Sequence, residues 1–140
     1  MTTSLPAAKR DVLKHRAMIA LMLLAAFAGC GTDENLPPTV PVKGKVIYQG
    51  KPVKDAVVMF FPADDVVGNP GIAKTEADGA YQLTTYETGD GAVPGKHTVT
   101  VQLFNAPISL PGKYGSRETT PLTFIVESNQ ENHFEIVLEK

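Results

Sequence analysis

From Val42 to the end of the chain the apolar residues recur with a period of two. Val42, Gly44, Val46 and Tyr48 alternate with Lys43, Lys45, Ile47 and Gln49, and Gly50-Lys51-Pro52 then punctuates the run. Successive side chains of a strand point to opposite faces, so this alternation predicts a strand with one covered face. Val53 to Phe61 predicts a second strand, with Ala56, Val58 and Phe60 on one face and Val57, Met59 and Phe61 on the other. Apolar residues on both faces suit a central strand. Further strands are predicted at Ile72–Thr75, Ala80–Tyr86, His97–Leu103, Leu122–Val126 and Phe134–Leu138. The segments between them, Pro62–Gly71, Glu76–Gly79, Glu87–Gly95, Asn105–Arg117 and Ser128–Asn132, are rich in Gly, Pro, Asp and Asn and read as turns and loops. No 3.6-residue period occurs in this part. Seven short strands at regular spacing predict an all-β, antiparallel Greek-key sandwich.

The first 29 residues follow a different pattern. Lys9, Arg10, Lys14 and Arg16 precede an uncharged apolar run from Ala17 to Ala28, the layout of a secretory signal peptide, expected as a signal helix. The run is too short to span a bilayer core, which takes about 20 apolar residues. It ends at Cys30, the single cysteine of the chain, so no intramolecular disulfide is possible and the fold must rest on its core. Residues 30–41 then turn polar and proline-rich (Pro37-Pro38), a stiff spacer ahead of a domain spanning 42–140.

Phe27-Ala28-Gly29-Cys30 resembles the lipobox of bacterial lipoproteins: a bulky apolar residue, two small ones, then the cysteine. The resemblance implies cleavage between Gly29 and Cys30, acylation of Cys30, and membrane attachment through three acyl chains. Two or more chains anchor stably where one does not. Gly31 in place of Asp then favours outer-membrane sorting. The implied location is the cell envelope, facing the periplasm or the cell exterior, with covalent lipid on Cys30 and no cofactor.

A second resemblance covers most of the domain. Gly44 to Val58, Thr75 to Leu83 and Val93 to Val101 are similar to the three signature stretches of carboxypeptidase regulatory-like domains: a first hairpin with Gly-Lys-Pro, a turn at Asp-Gly, and a Pro-Gly before a central strand. This implies a transthyretin-like, prealbumin-type sandwich, a fold of accessory and binding modules.

Charge and chemistry narrow the function. Residues 1–29 hold four of the 13 Lys/Arg and one of the 15 Asp/Glu, which leaves nine basic and fourteen acidic residues, a net charge near −5. Nucleic acid is a poor partner for such a surface. His97 and His133 lack metal-ligand spacing, and His97 shares the face of Val99 and Val101, as a structural histidine would. Asp64, Asp65 and Asp78 lack the repeated spacing of a calcium loop. No metal site is therefore expected. Tyr114-Gly115-Ser116-Arg117 resembles, in scrambled order, the C-terminal tetrapeptide of hydroxyisourate hydrolases. Those enzymes need paired histidines and an arginine, so the test is whether His97, His133 and Arg117 meet. Lys43 or Lys45 and Asn132 lie in strands suited to an isopeptide bond, without an evident assisting carboxylate. No nucleophile–base pair is apparent. The expectation is a non-catalytic envelope module with a structural or binding role toward a protein or glycan. A carbohydrate-binding module and a transthyretin-like hydrolase are the alternatives.

Overall fold

The computed structural model describes residues 35–140; the signal-like run and Cys30 lie outside them. The described chain is all-β, with eight strands and one 3-10 turn at Gly112–Gly115. The strands are β1 (Val42–Tyr48), β2 (Lys51–Pro52), β3 (Val57–Pro62), β4 (Gly71–Lys74), β5 (Ala80–Gln82), β6 (Gly95–Gln102), β7 (Thr123–Val126) and β8 (Asn132–Leu138). One sheet has β1 between β8 and the pair β5 and β2; the other runs β4-β3-β6-β7. Both bury one side in a single apolar cluster that includes Val42, Val46 and Ile136 from the first sheet and Val58, Phe60, Val99 and Val101 from the second.

Two features depart from the seven-stranded antiparallel expectation. Lys51 and Pro52 fold back onto Ile47 and Tyr48 as an eighth, two-residue strand. The turn before them has positive φ at both Gln49 and Gly50, as a type I′ hairpin requires. More consequentially, β1 and β8 run parallel along their whole length, from Val42 opposite Asn132 to Tyr48 opposite Leu138. Alternation is the same in parallel and antiparallel pairs, so residue pattern alone does not distinguish them.

Element boundaries also shift for local reasons. The second strand begins at Val57 rather than Val53 because Asp55 adopts φ +60. Its N–H donates to the Thr75 carbonyl, and the Ala56 N–H donates to Thr75 Oγ1. β5 stops at Gln82 because the chain then changes sheets. Leu83 N–H still bonds Val42 in the first sheet, whereas Thr84 exchanges both backbone bonds with Ile72 in the second. The expected central strand is central: β3 lies between β4 and β6. Ala56, Val58 and Phe60 are fully buried and Val57, Met59 and Phe61 half-buried.

An aromatic cluster joins the two sheets. Phe60 of β3 lies with ring centroids 5.9 Å from Phe124 (β7), 6.0 Å from Phe134 (β8) and 6.3 Å from Tyr81 (β5); Phe124 and Phe134 stack at 4.7 Å. Such offset or tilted pairs add to the free energy of simple burial. The Tyr81 hydroxyl reaches past β1 and donates to the Phe134 carbonyl at 2.8 Å. Gly44 makes that reach possible. A Cβ there would run into the Phe134 carbonyl and stand 2.6 Å from the Tyr81 hydroxyl.

Gly44→Ala is therefore expected to exceed the roughly 1–3 kcal/mol of ordinary overpacking, since rigid backbone bars relaxation. Tyr81→Phe should cost about 1–3 kcal/mol by leaving the Phe134 carbonyl without its donor. Urea unfolding of both variants checks this, and Gly44→Ala stability within about 0.5 kcal/mol of the parent would contradict the packing described.

Candidate functional site

The chain enters the domain at one pole. Thr39 Oγ1 donates to Asp90 Oδ2 at 3.4 Å, Val40 exchanges backbone bonds with Ala92, and the Asn132 N–H donates to the Pro41 carbonyl. A Cβ at Gly91 would collide with the Val40 carbonyl, and Gly91 has φ +94, so this close approach requires glycine twice over. Residues 39–41, expected as the end of a spacer, are thus hydrogen-bonded to the domain.

Asp90 organises this pole. Its carboxylate accepts the backbone N–H groups of Thr85, Tyr86 and Glu87 at 2.7, 3.0 and 3.0 Å. Partial burial works to raise its pKa, but these bonds and the Thr39 hydroxyl outweigh it and hold the carboxyl below the usual aspartate value. The segments that meet here also bring Glu87 beside Asp90 and Glu127 beside Asn132, while Glu131 pairs with Lys43 of β1.

β1 leads away from this entry, and roughly 20 Å on, at about 3.3 Å per residue, it reaches the Tyr48 turn at the opposite pole. There the β1–β2 hairpin of the first sheet faces the segment after β6. Between them lies an open groove of about 320 Å³ lined by Tyr48, Gln49, Lys51, Pro52, Ile108 and Ser109, with Val53 at its floor. Phe104 and Ile108 of that segment are more than half exposed.

The groups singled out from sequence are not drawn together. His97 is fully buried on β6, its ring 5.9 Å from Phe60. Nδ1 bonds the Gly95 carbonyl at 3.0 Å, which puts the proton on Nδ1, and the buried Nε2 has no partner among the described residues. Burial pushes its pKa below the ordinary histidine value, and the Gly95 carbonyl offsets only part of this. His133 is exposed on β8 of the other sheet. Arg117 lies 4.7 Å over the Phe61 ring, on the outer side of β3. His97, His133 and Arg117 therefore occupy three different faces. Tyr114 is a packing residue: it is buried, and its hydroxyl accepts the Glu139 N–H at 2.9 Å.

The isopeptide pair is adjacent but misdirected. Asn132 pairs with Val42 and is buried, whereas Lys43 points outward to Glu131 at 3.2 Å. The Asn132 amide is occupied, accepting from Glu127 N–H and donating to the Glu127 and Gln130 carbonyls. Asp78 accepts the Ala80 N–H within its turn, apart from the exposed Asp64 and Asp65. Among the described residues no three His, Cys, Asp or Glu side chains converge as a metal site would need. Cys30 and Gly29 lie outside the described residues. The sequence reading missed Asp90 and the groove. A carboxylate inside a Gly-rich loop (Thr88-Gly89-Asp90-Gly91) was the available signal for the first; the groove is assembled from segments about 60 residues apart.

No family model matches the chain, and no curated protein matches it. A solved structure is similar over 78% of this chain and 84% of its own, at 23% identity and a TM-score of 0.42. It is the dioxygenase domain of a dioxygenase carbohydrate-binding protein fusion from the cellulolytic bacterium Streptomyces sp. SirexAA-E. Likeness at that level carries no functional argument.

The two perturbed groups act in separate pH windows. A histidine with a depressed folded pKa is neutral in both states at high pH. As pH falls below the unfolded value of 6.5, the unfolded chain takes the proton first, so stability drops. His97→Leu should flatten unfolding free energy between about pH 7 and the depressed folded value, while the parent declines there. Asp90, depressed from 3.8, contributes stability above that pH that is lost on further acidification. Asp90→Asn should remove this lower-pH loss and cost about 1–2 kcal/mol at pH 7. Denaturant titrations from pH 8 to pH 3 measure both; parallel curves for parent and variants would refute the assignments.

Proposed function

We propose that this protein is a non-catalytic, lipid-anchored module of the cell envelope whose sandwich-like domain binds or supports an envelope partner. The observation that carries the reading is the lipobox-like Phe27-Ala28-Gly29-Cys30 behind a basic and apolar leader. The geometry supports it through the clip at Thr39–Pro41, which ties the chain leading from Cys30 to one pole of the domain. On this reading the two sheets are the Greek-key, transthyretin-like sandwich of a carboxypeptidase regulatory-like domain. Residues 1–29 are its signal peptide, Cys30 is acylated after cleavage behind Gly29, and the domain faces the periplasm or the cell exterior.

The groove at the pole opposite the clip favours a glycan as partner over the hydrolase alternative. It combines an aromatic ring with amide, hydroxyl and ammonium groups, while His97, His133 and Arg117 stand on separate faces.

The intact mass of protein purified from bacterial membranes tests the anchor. A mass of residues 30–140 plus acyl groups is expected, and Cys30→Ser should leave the chain uncleaved and unacylated. Recovery of parent protein with residues 1–29 and no lipid would refute the anchor. A deficit of one ammonia would signal an isopeptide bond, contrary to the orientation of Lys43 and Asn132.

A further inference from the structure

The groove at the Tyr48 pole has three properties that together select a ligand. First is its placement. Residues 39–41 are hydrogen-bonded to the opposite pole, so residues 31–38 are the stretch of sequence between that pole and Cys30. Eight extended residues reach at most about 28 Å. If Cys30 is acylated, as the proposed function has it, the clipped pole is the end of the domain attached to the bilayer. β1 then sets the groove at the end away from the attachment point, where an envelope polymer is within reach.

Second is the lining. Tyr48 and Ile108 supply apolar surface, and Gln49, Lys51 and Ser109 supply an amide, an ammonium and a hydroxyl. Sugars present both an apolar C–H face and a ring of hydroxyls, so an aromatic side chain beside donors and acceptors matches them. The volume of about 320 Å³ falls at the small end of ligand clefts. Gln49 sits at the rim, with its φ of +52 set by the hairpin turn it belongs to.

Third is charge. The domain is net acidic, yet no carboxylate lines the groove and Lys51 does. Asp78, next to the Gly79 that packs on Pro52, and Glu139, next to Leu138 opposite Tyr48, belong to this pole but not to the lining. Lys51 is thus the charge that a ligand in the groove meets, and it recruits an anion more strongly at low ionic strength. We propose that this groove binds an acidic saccharide, a uronic-acid type chain. One sugar stacks on Tyr48 against Ile108, its carboxylate meets the Lys51 ammonium, and its hydroxyls bond Gln49 and Ser109.

The test is calorimetric titration of the full chain, purified from membranes in detergent, with an α-1,4-linked galacturonate tetramer and with maltotetraose, its neutral counterpart. The galacturonate is expected to bind at least tenfold more tightly. Lys51→Gln should erase that preference, and Tyr48→Ala should weaken both ligands at least tenfold. Ile108→Ser, at an exposed position, should do the same without touching the hairpin, and melting curves confirm that each variant folds. Absent binding, equal affinity for both sugars, or affinity unchanged in Lys51→Gln and Ile108→Ser would overturn the proposal. The intact mass of the same preparation separates the two ideas. An acylated chain that binds neither sugar loses the groove alone. An unacylated chain whose galacturonate binding depends on Lys51 keeps the groove and loses the anchor.

Discussion

The fold depends on the parallel pairing of its first strand with its last. β1 and β8 meet in seven consecutive positions although about 90 residues separate them, so the whole chain is enclosed between them. Loop closure over that length costs conformational entropy before any contact forms. The pairing must therefore be held by more than its own hydrogen bonds. Val42, Val46, Ile136 and Leu138 face a common core, and Phe134 stacks on Phe124 of the opposite sheet. Tyr81 completes the arrangement by bonding the Phe134 carbonyl across Gly44, which links β5, β1 and β8 through one hydroxyl. The exposed Lys43–Glu131 pair adds little, as surface ion pairs generally do.

Much of this was legible in the residues. Val42/Val46, Val58/Phe60, Val99/Val101 and Ile136/Leu138 lie on the buried faces that alternation assigns them. What alternation does not carry is direction and partner. A strand with one apolar face reads the same beside a parallel or an antiparallel neighbour, so the β1–β8 pairing was hidden. The sheet change at Leu83 and Thr84 was hidden as well. Both residues continue a strand-like run, and only the backbone bonds to Val42 and Ile72 reveal that adjacent residues serve different sheets. Asp55 broke a predicted strand because a left-handed aspartate lets two backbone donors reach Thr75.

The candidate chemistry divides along the same line. His97 was placed with Val99 and Val101 by period alone, and it is buried there. Its unpartnered Nε2 depends on Phe60 and neighbouring apolar groups arriving from other elements, which no local pattern encodes. Asn132 and Lys43 illustrate the reverse. They were paired by strand position, first with last, and those strands are indeed neighbours. A single step in register separates inward from outward, and that step turns the amide into a cap for the Glu127–Gln130 turn while the ammonium faces solvent.

The two poles differ in a way that follows from the path of the chain. At the entry pole, Asp90 gathers three backbone N–H groups and the Thr39 hydroxyl. At the far pole the hairpin and the segment after β6 leave apolar surface and a lysine-bearing groove. Backbone hydrogen bonds hold Val40 and Pro41 to the domain, so the length of β1 separates this entry from the Tyr48 turn. The groove thus lies at the far end of β1 from the point where the chain enters, placed there by the same strand whose pairing with β8 the fold depends on.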